Sequence, residues 1–282
     1  MRLLSDSPAW WSFRRNPMGM TGLALVVLVV GAALFADLIA PFPDHAGPVG
    51  DFAAMSAKPS AQYLLGTDTI GRDLLTRIIY AYRLSLEMAI VVLAIAAPIG
   101  VIVGLLAGYL GPAWSYALMR LTDVFLSIPP LVLAMSITGF LEPSAIHGMM
   151  AITAMWWPWY ARLTYNLTRA EKQEGYVLAA ETVGASLPHI LFREILPNCA
   201  PAIMTKMTID VGFVILIASS MSFLGLGAQA PTPDLGSMVA DGAKYMPEAW
   251  WLTVFPALAI LIVVMGFNLL GDGLREAADV RR

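Results

Sequence analysis

Apolar residues in this chain come in long blocks, with little of the strict alternation of a strand. Six blocks stand out, at 18–40, 84–110, 119–140, 144–164, 203–227 and 250–271. About 20 apolar residues cross a bilayer as a helix, so the pattern predicts an all-α membrane protein with six transmembrane helices. The polar intervals are uneven. A Pro/Gly/Asp-bearing stretch (41–80) follows the first block, a hydrophilic loop (165–202) follows the fourth, and QAPTPDLG (229–236) breaks the chain after the fifth. Residues 1–17 precede the first block. That block exceeds the roughly 7–15 apolar residues of a secretory signal, so it is expected to be retained as a span.

Basic residues set the expected orientation, because they concentrate on the cytosolic side. With the N-terminus inside, the inner segments hold Arg2, Arg14, Arg15, Arg120, Arg162, Arg169, Lys172, Arg193, Arg275, Arg281 and Arg282. The outer segments hold Lys58, Arg72, Arg77 and Lys244, with Arg83 at a boundary. Both termini and the 165–202 loop are therefore expected in the cytosol, with 41–80 extracytoplasmic. Arg72 and Arg77 run against the bias; with Asp68 and Asp73 nearby they are expected on an amphipathic helix at the surface.

Composition agrees. Hydrophobic residues make up 58% and charged residues 13%, about half the charged share of an ordinary soluble domain. No basic cluster suggests nucleic acid. The one cysteine, Cys199, excludes an internal disulfide and any Cys-pair metal motif. A phosphate cradle needs G-x-x-x-x-G-K-[ST], and none of the four lysines follows a glycine, so the chain cannot hydrolyse ATP by a P-loop mechanism. His45, His147 and His189 fall in three separate segments, which argues against a metal cluster. VGAS has a serine without a histidine partner, and no other enzyme signature is present.

Charges inside spans are costly, about 2.5–3.5 kcal/mol each on insertion scales. Lys206 and Asp210 lie four apart on one helical face, where they can neutralise one another. A structural pair is the first reading, and a gate or pathway contact the alternative. Glu87 and Asp123 lie near span ends. Gly100, Gly104, Gly108 and Gly111 recur at near four-residue intervals, a stripe that lets another helix approach closely. Trp156, Trp157 and Trp159 beside Pro158 read as packing before ligand binding.

Within the loop after the fourth block lies the stretch YVLAAETVGASLPHILFREILPN (176–198). It predicts an Ala/Gly-rich amphipathic helix, a turn and a second short helix, which suits either a plug for a soluble partner or an ordinary interfacial helix-turn-helix. The placing of Ala179, Ala180, Gly184, Ile195, Leu196 and Pro197 resembles the "EAA loop" by which permease subunits of ABC importers dock their ATPases. The acid of that pattern is replaced by Leu178, with Glu181 one helical turn on.

Other stretches carry the same resemblance. LLGTDTIGRDLLTRIIYAYRLSLEM (64–88), MSFLGLGAQAPTPDLGSMVADG (221–242) and AWWLTVFPALAILIVVMGFNLLGDGLREAAD (249–279) are similar to blocks of the dipeptide/oligopeptide/nickel-type permeases of ABC importers, in the "C" subunit. RRNPMGMTGLAL (14–25) and WYARLTYNLTRAEKQEGYVLAAETVGAS (159–186) extend the likeness over nearly the whole chain. Departures are Leu178, ASSM (218–221) where peptide carriers often place an acid, and an AADVRR end. The resemblance implies the type I ABC importer permease fold in a bacterial inner membrane. It also implies a second homologous permease, two ATPase subunits holding ATP and magnesium, and an extracytoplasmic binding protein. This chain would bind no cofactor itself. Leu178, Ala179, Ala180, Glu181, Gly184, Ala185, Ser186, His189 and Pro197 would carry coupling to the ATPases. Di- or oligopeptides are the first substrate class, with nickel or opine-type solutes as the alternative. A secondary transporter is disfavoured because internal repeats are absent and the docking loop would have no use.

Overall fold

The computed structural model describes residues 8–279. Arg2, Arg281 and Arg282, counted in the charge bias, lie outside the described residues, as do the first seven residues of the 1–17 segment. Helices dominate, and among the described residues the only β pairing is a lone bridge, Thr67 to Asp73.

After α1 (Pro8–Arg15), Asn16 caps α2 (Pro17–Leu34) by accepting from the Gly19 amide at 3.0 Å, with Pro17 in the first turn. A short α3 (Ala36–Ile39) leads into 41–73, and α4 (Leu74–Tyr109) then begins ten residues before the expected block. Its cap is Asp73, which accepts from the Thr76 amide at 2.8 Å. The early start corrects the expected surface helix. Arg72 sits in the loop against Asp68 at 2.7 Å, while Arg77 is buried in the first turns of α4, 3.7 Å from the same carboxylate.

The block expected as one span at 119–140 is bent. α5 (Pro112–Leu126) and α6 (Pro130–Thr138) meet at 81°. Pro129 and Pro130 explain it: neither offers an N–H, and the residue before a proline is pushed out of the helical region. α7 (Ala145–Glu171) is long enough to cross but carries Trp, Tyr, Thr and Arg162. Four helical runs among the described residues are long and apolar enough to span, or five with the bent pair. α7 escapes that pattern because its hydroxyls face protein: Tyr160, Thr164 and Thr168 are fully buried.

The most extensive helix packing is α4 on α7. A Cβ on Gly100, Gly104 or Gly108 would come within 2.2 Å of the Trp157 carbonyl oxygen, 2.6 Å of the Ala161 carbonyl oxygen and 2.6 Å of Thr168 Cβ respectively. The glycine stripe is thus a helix contact, apart from Gly111, which instead caps α5.

Beyond α8 (Gly175–Thr182), a turn of helix, α9 (Leu187–His189), passes through a π-helical stretch (Ile190–Ile195) into α10 (Leu196–Phe223) without interruption. The expected separate short helix is therefore continuous with the fifth span. Pro197 lacks the N–H for residue 193, and its ring crowds that carbonyl; a wider π turn accommodates both. α10 ends at Phe223, short of 227, where Gly225 takes φ +83°. α11 (Leu235–Ala243) presses on this end so closely that a Cβ on Gly236 would meet the Ser219 carbonyl oxygen at 2.1 Å. α12 (Trp251–Asp279) closes the bundle against α2 and α10.

Candidate functional site: the loop between the fourth and fifth blocks

α8 stops where Gly184 adopts φ +77°, a left-handed conformation that glycine takes without penalty. The Ala185 amide donates to the Ala180 carbonyl and the Gly184 amide to that of Glu181, both at 3.0 Å. This is the Schellman pattern, which satisfies carbonyls left over at a helix end. Nothing lies within 4 Å of the Cβ position of Gly184, so its constraint is on backbone conformation alone.

The loop has two faces. Val177, Ile190, Leu191 and Ile195 are buried in the main core, with Ala180 and Ala185 packed against it. Ala179, Ser186 and Pro197 are exposed. So are Leu178, Val183, Leu187 and Phe192, with Val183 84% exposed. These last three form an apolar rim that reading the sequence against the loop pattern missed. Their signal was present as large apolar residues inside a hydrophilic loop.

Polar contacts fix the loop to its neighbours. Tyr109, the last residue of α4, donates to Glu181 at 2.7 Å, and Leu178 lines a cavity beside Ala107 and Gly108. The two residues thus share a face, directed at the end of α4. His189 Nε2 lies 3.2 Å from Glu194 Oε1. Asn198 donates to Glu194 O at 2.7 Å and to the Tyr176 hydroxyl at 3.0 Å, and Tyr176 donates to Glu171. Partial burial and then the bond to Glu171 hold the Tyr176 hydroxyl above the ordinary phenol range, so it stays a donor.

The Lys206–Asp210 pair is a separate feature. Asp210 is buried, and its two oxygens accept from Lys206 Nζ at 3.0 Å and from Trp156 Nε1 at 3.1 Å. The ammonium also lies 5.4 Å from the Tyr160 ring centroid and 5.9 Å from that of Trp159, within cation–π range. The pair therefore ties α10 to α7, and Trp156 and Trp159 belong to it. Asp123 pairs with Arg162 across α5 and α7. Glu87 projects from α4, exposed, with no hydrogen bond or ion pair among the described residues.

His45 accepts from the Asp73 amide at 2.9 Å and stacks on Phe42, and His147 Nδ1 lies 2.6 Å from the Glu142 carbonyl. Both are engaged locally. No group of metal-ligating side chains forms among the described residues.

The described residues thus form a glycine-zipped helical bundle with an amphipathic loop fused to one of its spans. The chain belongs to the family described as binding-protein-dependent transport system inner membrane component, which matches residues 100–282, and residues 7–59 match the N-terminal transmembrane domain of oligopeptide transport permease C. It is thus an inner-membrane permease of the ABC importer class. A probable D,D-dipeptide transport system permease of Escherichia coli K12 is 38% identical, covering 95% of this chain and 89% of its own. A di/tripeptide transport system permease of Pseudomonas aeruginosa is 39% identical, over 96% and 90%. A glutathione transport system permease of E. coli is also 39% identical, over 96% and 88%. Among solved structures, the inward-facing MetNI methionine ABC transporter shares the fold, with TM-score 0.56 and 19% identity over 74% of this chain and 96% of that one.

Proposed function

We propose that this chain forms, with a second homologous permease, the membrane path of an ATP-driven importer of di- or oligopeptides. Two ATPase subunits would supply hydrolysis, and an extracytoplasmic binding protein would deliver substrate. Both termini and the 165–202 loop are assigned to the cytosol, with six crossings in which α7 is the fourth and the bent α5–α6 pair the third. The observation that carries the coupling role is the two-faced loop. Its apolar rim of Val183, Leu187 and Phe192 is open to a partner, while its buried face is continuous with α10. An ATPase groove closing on that rim would move α10 directly, and the bundle would rock with it. The peptide substrate class is inferred from the relatives. Near the start of the second block, Glu87 is an exposed carboxylate with no hydrogen bond or ion pair among the described residues, and an intramembrane ionisable residue is a functional candidate by default. We assign it to the substrate's ammonium group.

The test is a mild-detergent pull-down of the tagged chain, with co-purifying proteins identified by mass spectrometry. Recovery of a second permease and P-loop ATPases is expected, with loss of the ATPases when Val183 and Phe192 are both replaced by aspartate. The chain recovered alone and active in uptake would overturn the reading.

A further inference from the structure

A cavity of about 950 Å³ opens beside α8, walled by the C-terminal end of α4, by α5 and by α7. Three of its lining residues are cations: Arg120, Arg169 and Lys172. Its acid, Asp123, is already taken by Arg162. Among the described residues none of the three cations lies within ion-pair distance of a carboxylate. Each instead rests on a tyrosine ring: Arg120 over Tyr116 at 5.1 Å, Arg169 over Tyr165 at 5.7 Å and Lys172 over Tyr109 at 4.7 Å. Lys172 also donates to the Tyr109 carbonyl at 2.7 Å and Arg169 to the Tyr165 hydroxyl at 3.3 Å. Each cation keeps further N–H groups beyond these contacts. Three charges are thus oriented but not neutralised.

A second source of positive potential converges there. The 15-residue α5 starts in the cavity wall, with Gly111 as its cap at φ +106° and Pro112 in its first turn. A glycine cap offers no side-chain acceptor to the first amides, and an uncapped helix start attracts anions. The mouth also has the marks of a membrane–water boundary. Trp114 and Tyr116 are exposed on α5, and such aromatic residues gather at headgroup level. Ala107 and Met119 give the inner wall an apolar lining.

The geometry points to a binding site for a phosphate-bearing anion, held by Arg120, Arg169, Lys172 and the start of α5. Basic pockets between transmembrane helices on the cytoplasmic side suit anionic headgroups, and the aromatic rim favours an inner-leaflet phospholipid over a soluble phosphate compound. The leaflet assignment rests on the topology proposed above. Because the cavity touches Leu178 of α8, an occupant there sits against the loop assigned to coupling.

The transporter, purified with its partners, is incubated with phosphatidylglycerol or phosphatidylcholine, and bound lipid is counted by native mass spectrometry. Arg120→Gln, on an exposed position, should weaken phosphatidylglycerol retention by about fivefold, and the Arg120→Gln/Arg169→Gln/Lys172→Gln variant by about a hundredfold. Phosphatidylcholine, and the distant Arg14→Gln variant, should show no such change. Inorganic phosphate is then added: failure to displace the lipid identifies the headgroup as occupant, and displacement identifies a soluble anion, with the site standing in both cases. Equal phosphatidylglycerol retention by wild type and triple variant overturns the site. Loss of ATPase subunits with lipid retention unchanged also overturns it, in favour of an acidic protein segment. Lipid is counted on whichever species carries the chain, so failed recovery of ATPases, which tests the function above, is read separately.

Discussion

Replacing Lys206 with alanine strips Asp210 of its cation while leaving the Trp156 N–H in place. Loss of one member of a buried pair costs about 3–5 kcal/mol when the surviving charge is uncompensated. Two features reduce that here. The Trp156 bond to a charged acceptor is of the class worth about 1.5–3 kcal/mol, and the Lys206 side chain is 27% exposed, so its vacated volume admits water. The expected loss is about 2–3 kcal/mol, against about 0.6 kcal/mol for an average interhelical hydrogen bond in a membrane bundle. At 1.4 kcal/mol per decade that is roughly a 30- to 150-fold shift toward unfolded or unassembled chain. The assay is the thermal retention of assembled transporter in detergent, read by size exclusion, with Trp156→Phe as the polar-contact comparison. Lys206→Ala should lose clearly more than Trp156→Phe, and Lys206→Met combined with Asp210→Asn should recover most of the loss. Equal losses from the two single variants would refute the ion-pair reasoning. Normal assembly with an altered substrate profile would move the pair into the translocation path.

Other outcomes follow from the same geometry. Gly184→Trp places an L-residue in the left-handed region at about 1–2 kcal/mol and adds bulk to an open surface; uptake should vanish while the chain still inserts, and full uptake would remove the coupling role. Gly104→Leu should lower assembled yield more than Gly111→Ala, because only Gly104 is pressed on α7; blue-native gels of membrane extracts would read the difference. Glu87→Gln should raise the KM for peptide uptake at unchanged assembly, and an unchanged KM would deny it contact with substrate.

Much of this was legible in the chain. The apolar blocks marked where the helices lie because lipid demands long helical runs, and four of them, or five with the bent pair, are long and apolar enough to span among the described residues; the glycine repeat in the second block identified its contact face. Gly184 signalled the end of α8 for the same local reason, since few residues tolerate the conformation required there. What escaped was decided by tertiary neighbours. Arg77 is buried in α4 with Asp68 and the Pro231 carbonyl beside it, and α7 keeps its hydroxyls because protein, not lipid, surrounds them. The π turn at Ile190–Ile195 has only Pro197 as a clue, and a proline announces a disturbance without naming its form. The apolar rim of Val183, Leu187 and Phe192 was not legible because Val177, Ile190, Leu191 and Ile195 in the same loop are equally apolar yet buried, and only tertiary neighbours decide which set faces out.

The uninterrupted helix from Leu187 to Phe223 spans 37 residues, about 55 Å at 1.5 Å per residue. Mechanically it is a beam with a handle at one end and a load at the other, since Gly236 seats α11 directly on its far end at Ser219. A tilt of only about 5° at the handle carries the far end through roughly 5 Å over that length. A π turn and Pro201 lie near the handle and take up some bending there, and the helical remainder would pass the rest of such a tilt across the bilayer. If the loop couples as proposed, α11 is cargo on the lever, and whatever it covers at that end would open and close in step with the loop.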